Sequence, residues 1–233
     1  PLLHALNKEY YEQIVGELMS AFLKIKNTWK EESKRLVETE AFKQFKTCDI
    51  NIEHFKSLMN ELYFLFSETP KIFTTACSNL NKNDYQTVQR ILSKSKLSLQ
   101  IDYKIKQDLL STGLQQPIMR APLLSSTTLY SKTYYDLTEG RHHMLIVHLS
   151  ILGLLSKLSE DYFYNSFKTQ GLKDEQMSTL KYFNENQFRP FKVIRSLIDS
   201  FNLSEVDADE ICVTISEHTS IFEDIVNDSF QRV

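Results

Sequence analysis

Gly113-Leu-Gln-Gln-Pro117-Ile-Met-Arg120-Ala-Pro122-Leu-Leu-Ser-Ser-Thr-Thr-Leu-Tyr130-Ser131 is the stretch on which the reading of the fold turns. Two of the chain's five prolines, Pro117 and Pro122, flank Arg120 between long segments of helical periodicity. Pro117 suits the first turn of a helix, where a missing N–H loses no partner. Pro122 would then fall inside that helix, remove a backbone hydrogen bond and cost about 3 kcal/mol. The spacing predicts a kink here, or a turn before a second helix start.

Upstream, Leu3, Leu6, Tyr10, Ile14, Leu18 and Phe22 recur at steps of three and four. They predict a long amphipathic helix that nothing stops before Phe45. Asp49 or Asn51 can cap a second helix carrying Phe55, Leu58, Met59, Leu62 and Tyr63. Thr69-Pro70 reads as a new cap and first-turn proline. Asn83 or Asp84 starts a short helix through Leu92, Ser98 caps the next, and Thr112-Gly113 ends it.

Downstream, residues 130–143 read as a polar, aromatic connection. A long helix follows from Arg141 to Asn165, with Leu145, Leu149, Leu152, Leu155 and Leu158 inward. Gly171 marks a boundary, and Lys173–Tyr182 and Pro190–Phe201 read as two helices. Ser204 with Asp207 resembles a capping arrangement for a last helix bearing Val206, Ile211, Ile215, Phe222, Ile225 and Phe230. That helix also carries Glu205, Asp207, Asp209, Glu210, Glu217, Glu223, Asp224 and Asp228, which read as a solvated face. The expected class is all-α, an elongated multi-helix bundle of about eight to ten helices.

With 233 residues, the chain is long enough for a sizeable core. Apolar residues make up 42% and charged residues 24%, and the net charge is −3, so no basic field advertises nucleic acid. Only 5 Gly and 5 Pro argue against a turn-rich all-β fold. Cys48, Cys77 and Cys212 are an odd set at wide spacings and form no disulfide framework, which favours a reducing compartment. The chain opens at Pro1 with no signal peptide in view. Met144–Leu155 is the most apolar run. It is shorter than the roughly 20 residues a bilayer span needs, so it reads as a buried core helix and no transmembrane segment is expected.

Catalytic constellations are missing. There is no phosphate-binding glycine loop, no dinucleotide fingerprint and no metal signature. His142 and His143 are adjacent and point to different sides of a helix, so no metal and no cofactor are expected. His148, among leucines, reads as a hydrogen-bonded core histidine. No Ser or Cys sits in a nucleophile elbow.

Leu109-Leu110 followed by Pro117-Ile118-Met119-Arg120-Ala121-Pro122-Leu123-Leu124 resembles the third conserved region of Dbl-homology domains, the Rho-type guanine-nucleotide exchange factors. Pro117, Ile118, Arg120 and Pro122 match that hallmark in register, and Met119 replaces its glutamine. The resemblance implies an exchange-factor bundle over residues 1–170, with residues 171–233 a helical extension packed on it. It implies binding of a small GTPase of the Rho or Rab class and release of GDP without covalent chemistry. Glu9, Glu12, Leu123, Ser159 and Glu160 would meet the GTPase, and Pro117, Arg120 and Pro122 would form the structural motif. The divergence from the family pattern suits an effector working in a host cytosol, peripheral at membranes.

Two other readings come from the residues alone. Arg120, Lys132, Arg141 and His142, interleaved with Tyr134 and Tyr135, suit an anionic lipid headgroup and a membrane-binding module. The acidic last helix suits a scaffold that grips a basic partner.

Overall fold

The computed structural model describes residues 2–47, 50–78, 80, 85–114, 121–186 and 190–233, without the side chains of 2–15, 160 and 184–186. Every regular element among the described residues is helical. In chain order they are α1 (Leu2–Val37), α2 (Glu40–Thr47), α3 (Ile52–Ser78), α4 (Tyr85–Ser111) and α5 (Leu124–Thr138). A 3-10 turn (His142–Met144), α6 (Leu145–Leu158), a π turn (Ser159–Phe163) and α7 (Tyr164–Thr169) follow. A second 3-10 turn (Asp174–Gln176), α8 (Ser178–Asn186), α9 (Phe191–Phe201) and α10 (Glu205–Gln231) complete the chain.

Burial decides where the helices run on. The expected start at Thr69-Pro70 does not occur, and α3 passes straight through Pro70. Phe66, Ile72, Phe73 and Ala76 are all buried on either side of the proline. Burying each large apolar side chain is worth about 1.5–3 kcal/mol, which together outweighs the roughly 3 kcal/mol an interior proline costs. Thr69 Oγ1 donates to the Leu65 carbonyl (2.7 Å) and Thr74 Oγ1 to the Pro70 carbonyl (2.8 Å) in the same turns. Likewise Ser98 caps nothing. It lies inside α4 with Oγ donating to the Lys94 carbonyl (3.1 Å), while Ile91, Ile101, Ile105 and Leu109 keep one face buried.

The connection expected over residues 130–143 is mostly helix. In α5 the inward positions are Ser126, Leu129, Thr133, Asp136 and Leu137. Their spacing is helical, but three of them are polar, which hides the stripe from a hydrophobicity pattern. Pro122 stands just ahead of α5, so the proline stretch ends in a helix start, while the expected earlier start at Pro117 lies outside the described residues.

At the centre lies α6, buried almost all round. The span His142–Thr169 is apolar enough to cross a membrane by composition, yet 78% of its most apolar window is buried against other helices. That burial marks a core helix. Gly153 on α6 admits the ring of Pro190, which a Cβ there would strike. Trp29 of α1 donates its indole N–H to the Ser150 carbonyl of α6 (2.9 Å). Helix α3 lies along α4, and α10 packs against α1, α3, α5 and α6.

Helix starts are secured in two ways. Asn51 caps α3 locally, accepting from the Glu53 and His54 N–H groups (2.9 and 3.1 Å). Ser204 and Asp207 form the expected capping box on α10. By contrast, α5 has no side-chain cap of its own. The buried carboxylate of Glu61 on α3 supplies it, accepting from Leu123 N–H (2.9 Å) and Ser126 Oγ (2.7 Å). Asp108 of α4 does the same for α8, accepting from Ser178 N–H (2.9 Å), Ser178 Oγ (2.6 Å) and Thr179 N–H (2.8 Å). Burial raises the Asp108 pKa, and the bonds from Ser178 and Thr179 oppose that rise.

Hydrogen bonds to charged groups are worth about 1.5–3 kcal/mol each, and a local cap about 1 kcal/mol. Glu61→Ala and Asp108→Ala should each lower unfolding free energy by about 3 kcal/mol or more, and Asn51→Ala by about 1 kcal/mol, in urea titrations. Equal losses for all three would contradict the distinction. Gly153→Ala should lower stability despite Ala's higher helix propensity, through the collision with Pro190.

Candidate functional site

An open cleft of about 180 Å³ lies beside the carboxylate that caps α5. Glu53, Lys56, Ser57, Asn60 and Glu61 reach it from one face of α3, because residues three and four apart share a helix face. Leu109, Leu114 and Val233 supply apolar wall, and Arg232 arrives from the end of α10. Glu53 pairs with Lys56 at 2.6 Å. Arg232 Nη1 donates to the Ala121 carbonyl (3.1 Å) and to Glu61 Oε1 (3.4 Å).

The two oxygens of Glu61 are used differently. Oε2 takes the short bonds from Leu123 and Ser126, whereas Oε1 has Asn60 Nδ2 at 3.3 Å and Arg232 at 3.4 Å. Both of the latter sit at the long edge of hydrogen bonding. Oε1 therefore retains acceptor capacity toward the cleft. Carboxylates, cations and an apolar wall converge here, an arrangement able to recognise a small polar ligand. Burial raises the thiol pKa values of Cys77 and Cys212, which leaves neither as a ready thiolate.

Of the residues expected to meet a GTPase, Leu123 and Ser159 are withdrawn from the surface. Leu123 is buried with its N–H held by Glu61, and Ser159 is buried at the start of the π turn. The side chains of Glu9, Glu12 and Glu160, and the whole of Pro117 and Arg120, lie outside the described residues. Pro122 is half-buried ahead of α5.

Among the described residues of the basic and aromatic cluster, the cations pair with different acids. Lys132 pairs with Glu217 of α10, while Arg141 pairs with Asp136 (2.6 Å) and Glu210. Glu210 and Glu217 lie two turns apart, about 10 Å along the axis. Tyr134 stacks on Tyr130 with centroids 5.8 Å apart, and Tyr135 is exposed. His142 has its pKa lowered, first by burial and then by His143. The acidic face of α10 is met by the protein's own cations: Lys24 on Asp209, Arg35 on Glu223, Lys132 on Glu217 and Arg141 on Glu210.

A histidine pair occupies the junction of α3, α6 and α10. His218 Nδ1 lies 2.9 Å from the Thr214 carbonyl, which can only accept, so Nδ1 carries the proton. Its Nε2 is then an acceptor, buried with no partner. His148 Nε2 lies 3.3 Å from Thr69 Oγ1, whose own hydrogen goes to Leu65, so this imidazole donates. Burial holds His148 down at about 3, with a smaller push from His218. Burial likewise holds His218 at about 4. His148 is thus the core histidine expected from its leucine surroundings, and His218 was not foreseen.

No protein-family model matches the sequence, and no curated protein matches it. The fold is similar to that of a TenA homolog from Pseudomonas syringae pv. tomato strain DC3000. The TM-score is 0.73 at 9% identity, covering 90% of this chain and 92% of that one. It is also similar to a domain of unknown function with a heme oxygenase-like fold from Shewanella denitrificans, with TM-score 0.72, 11% identity and 93% coverage of each chain.

These likenesses run along nearly the whole chain and establish a TenA-like, heme oxygenase-like helical fold. They overturn the Dbl-homology resemblance, which rested on one short proline–arginine motif. The exchange reaction on a small GTPase goes with it. Among the described residues the two core imidazoles do not fit a haem, because His148 Nε2 is engaged by Thr69 and His218 is 1% exposed.

Both histidines are neutral in the folded protein and ordinary in the unfolded chain. Below about pH 6.5 the unfolded chain binds more protons, so stability falls with pH from there toward the folded values. The loss should reach about 1–2 kcal/mol per histidine between pH 7 and pH 5. Urea midpoints across that range should drop in the wild type and drop less in His218→Phe. An identical pH slope in the two proteins would contradict the assignment.

Proposed function

We propose that this chain binds a small zwitterion in the Glu61 cleft. The observation that carries the reading is Glu61 Oε1, a buried carboxylate oxygen with only long hydrogen bonds, facing a cleft rimmed by Lys56 and Arg232. A ligand ammonium complements Oε1 and Glu53, and a ligand carboxylate complements Lys56 and Arg232. Leu109, Leu114 and Val233 suit a short aliphatic spacer between the two charges. At about 180 Å³ the cleft falls below the roughly 300 Å³ at which pockets for drug-sized ligands begin, so the ligand has few heavy atoms.

The fold likeness agrees with a small-molecule role only as analogy, since one fold hosts many functions. The neutral core histidines favour the binding role over acid–base chemistry. A base at about 4 lies well below the pKa near ambient pH that general catalysis favours.

The test is thermal unfolding with a panel of ω-amino acids of graded chain length. A ligand at 100 times its Kd adds about 2.7 kcal/mol, which for a chain of this size raises the midpoint by about 5–10 °C. Lys56→Ala should abolish the rise and shift the unliganded midpoint by no more than about 2 °C, because a partly exposed ion pair contributes little. A flat panel, or an undiminished rise in Lys56→Ala, would refute the proposal.

A further inference from the structure

At the other end of α10, the geometry points to a divalent transition-metal site formed by His143, Asp207 and Glu210. One ligand atom from each lies within 4.8 Å of the others, and all three residues are half-buried. Asp207 and Glu210 share a face of the first turns of α10, and His143 comes from the 3-10 turn that joins α5 to α6. Ligands of a cation bound at about 2.0–2.2 Å sit roughly 3–3.5 Å apart. A contraction of about 1–2 Å at most, within reach of side-chain rotation, brings the three together.

The surroundings are those of a supported ligand set. Each carboxylate has one oxygen fixed by a group outside the set. Glu210 gives Oε1 to Arg141 and turns Oε2 to His143 Nε2 at 3.0 Å. Asp207 gives Oδ2 to the Ser204 N–H (2.9 Å) and Oγ (2.7 Å). Outer contacts of this kind orient metal ligands. His143 Nε2, now beside a carboxylate, would exchange that contact for the metal.

A second observation in the same cluster points to a missing positive partner. Asp136 grips Arg141 through Oδ1, its side chain is 6% exposed, and its Oδ2 is buried without any partner. Two carboxylates, Asp136 and Glu210, thus share the guanidinium of Arg141, and a divalent cation between Glu210 and Asp207 would balance the excess. One imidazole with two carboxylates is a mixed nitrogen and oxygen set of the kind Zn²⁺, Co²⁺, Mn²⁺ and Fe²⁺ accept. With three protein ligands, a coordination position stays open to water. The site would tie the start of α10 to the corner between α5 and α6, far along α10 from the Arg232 cleft, and it does not depend on that cleft's role.

Chelator-stripped protein titrated with Zn²⁺ by calorimetry, and with Co²⁺ by visible absorption, tests this. The expected result is one ion per chain, a Co²⁺ spectrum of low coordination number, and a thermal midpoint that rises with Zn²⁺ and returns with chelator. His143→Ala and Glu210→Gln should each weaken binding by about 100-fold or more, while keeping the wild-type helical signal. Absence of stoichiometric binding to the folded wild type overturns the assignment. So does binding that survives undiminished in both variants, which would place the ion elsewhere.

Discussion

The first N–H groups of a helix must find acceptors, and a buried helix start cannot borrow them from water. In this protein α5 and α8 meet that demand with carboxylates lying 62 and 70 residues earlier in the chain. The consequence is mechanical as well as local. Glu61 ties α3 to α5, and Asp108 ties α4 to α8, while α3 and α4 lie against each other. These ties fix where the proline stretch must end and hold helices around α6. They also leave one oxygen of Glu61 facing a cleft.

What could be read from the chain follows from how far each signal reaches. The capping box at Ser204, the buried run of α6 and the boundary at Gly171 are local, and each appears where periodicity and capping chemistry placed it. The supposed breaks at Pro70 and Ser98 failed because local punctuation lost to continuous burial on either side. Helix α5 was obscured because Ser126, Thr133 and Asp136 stand at its inward positions. A sign of the long-range caps was present nonetheless. Glu61 sits within Leu58-Met59-Asn60-Glu61-Leu62, and Asp108 sits beside Leu109, so each is an acid on an apolar stripe. An acid in such a place needs a buried partner, but nothing in the sequence says that the partner is another helix's amide edge.

The same limit explains the misplaced site. Lys132, Arg141 and His142 look like a binding cluster when read as neighbours along a loop. In the fold, Lys132 and Arg141 belong to a ladder of cations from α1, α5 and the following turn that meets the acids of α10. Exposed pairs of this kind add little stability each, about 0–1 kcal/mol, and serve more to set the register of α10 against its neighbours. Among the described residues, the Glu61 cleft lies at one end of α10 and the His143 cluster at the other. Between them the neutral imidazoles of His148 and His218 fill the junction as uncharged hydrogen-bonding groups.

The central claim is that distant carboxylates, rather than local caps, hold the starts of α5 and α8. Native-state amide hydrogen exchange at Leu123, Ser178 and Thr179 tests it most directly. If Glu61 and Asp108 hold these N–H groups, all three should exchange only through openings close in free energy to global unfolding. Exchange at the rate of free loop amides, while the interior of α6 stays protected, would contradict the account.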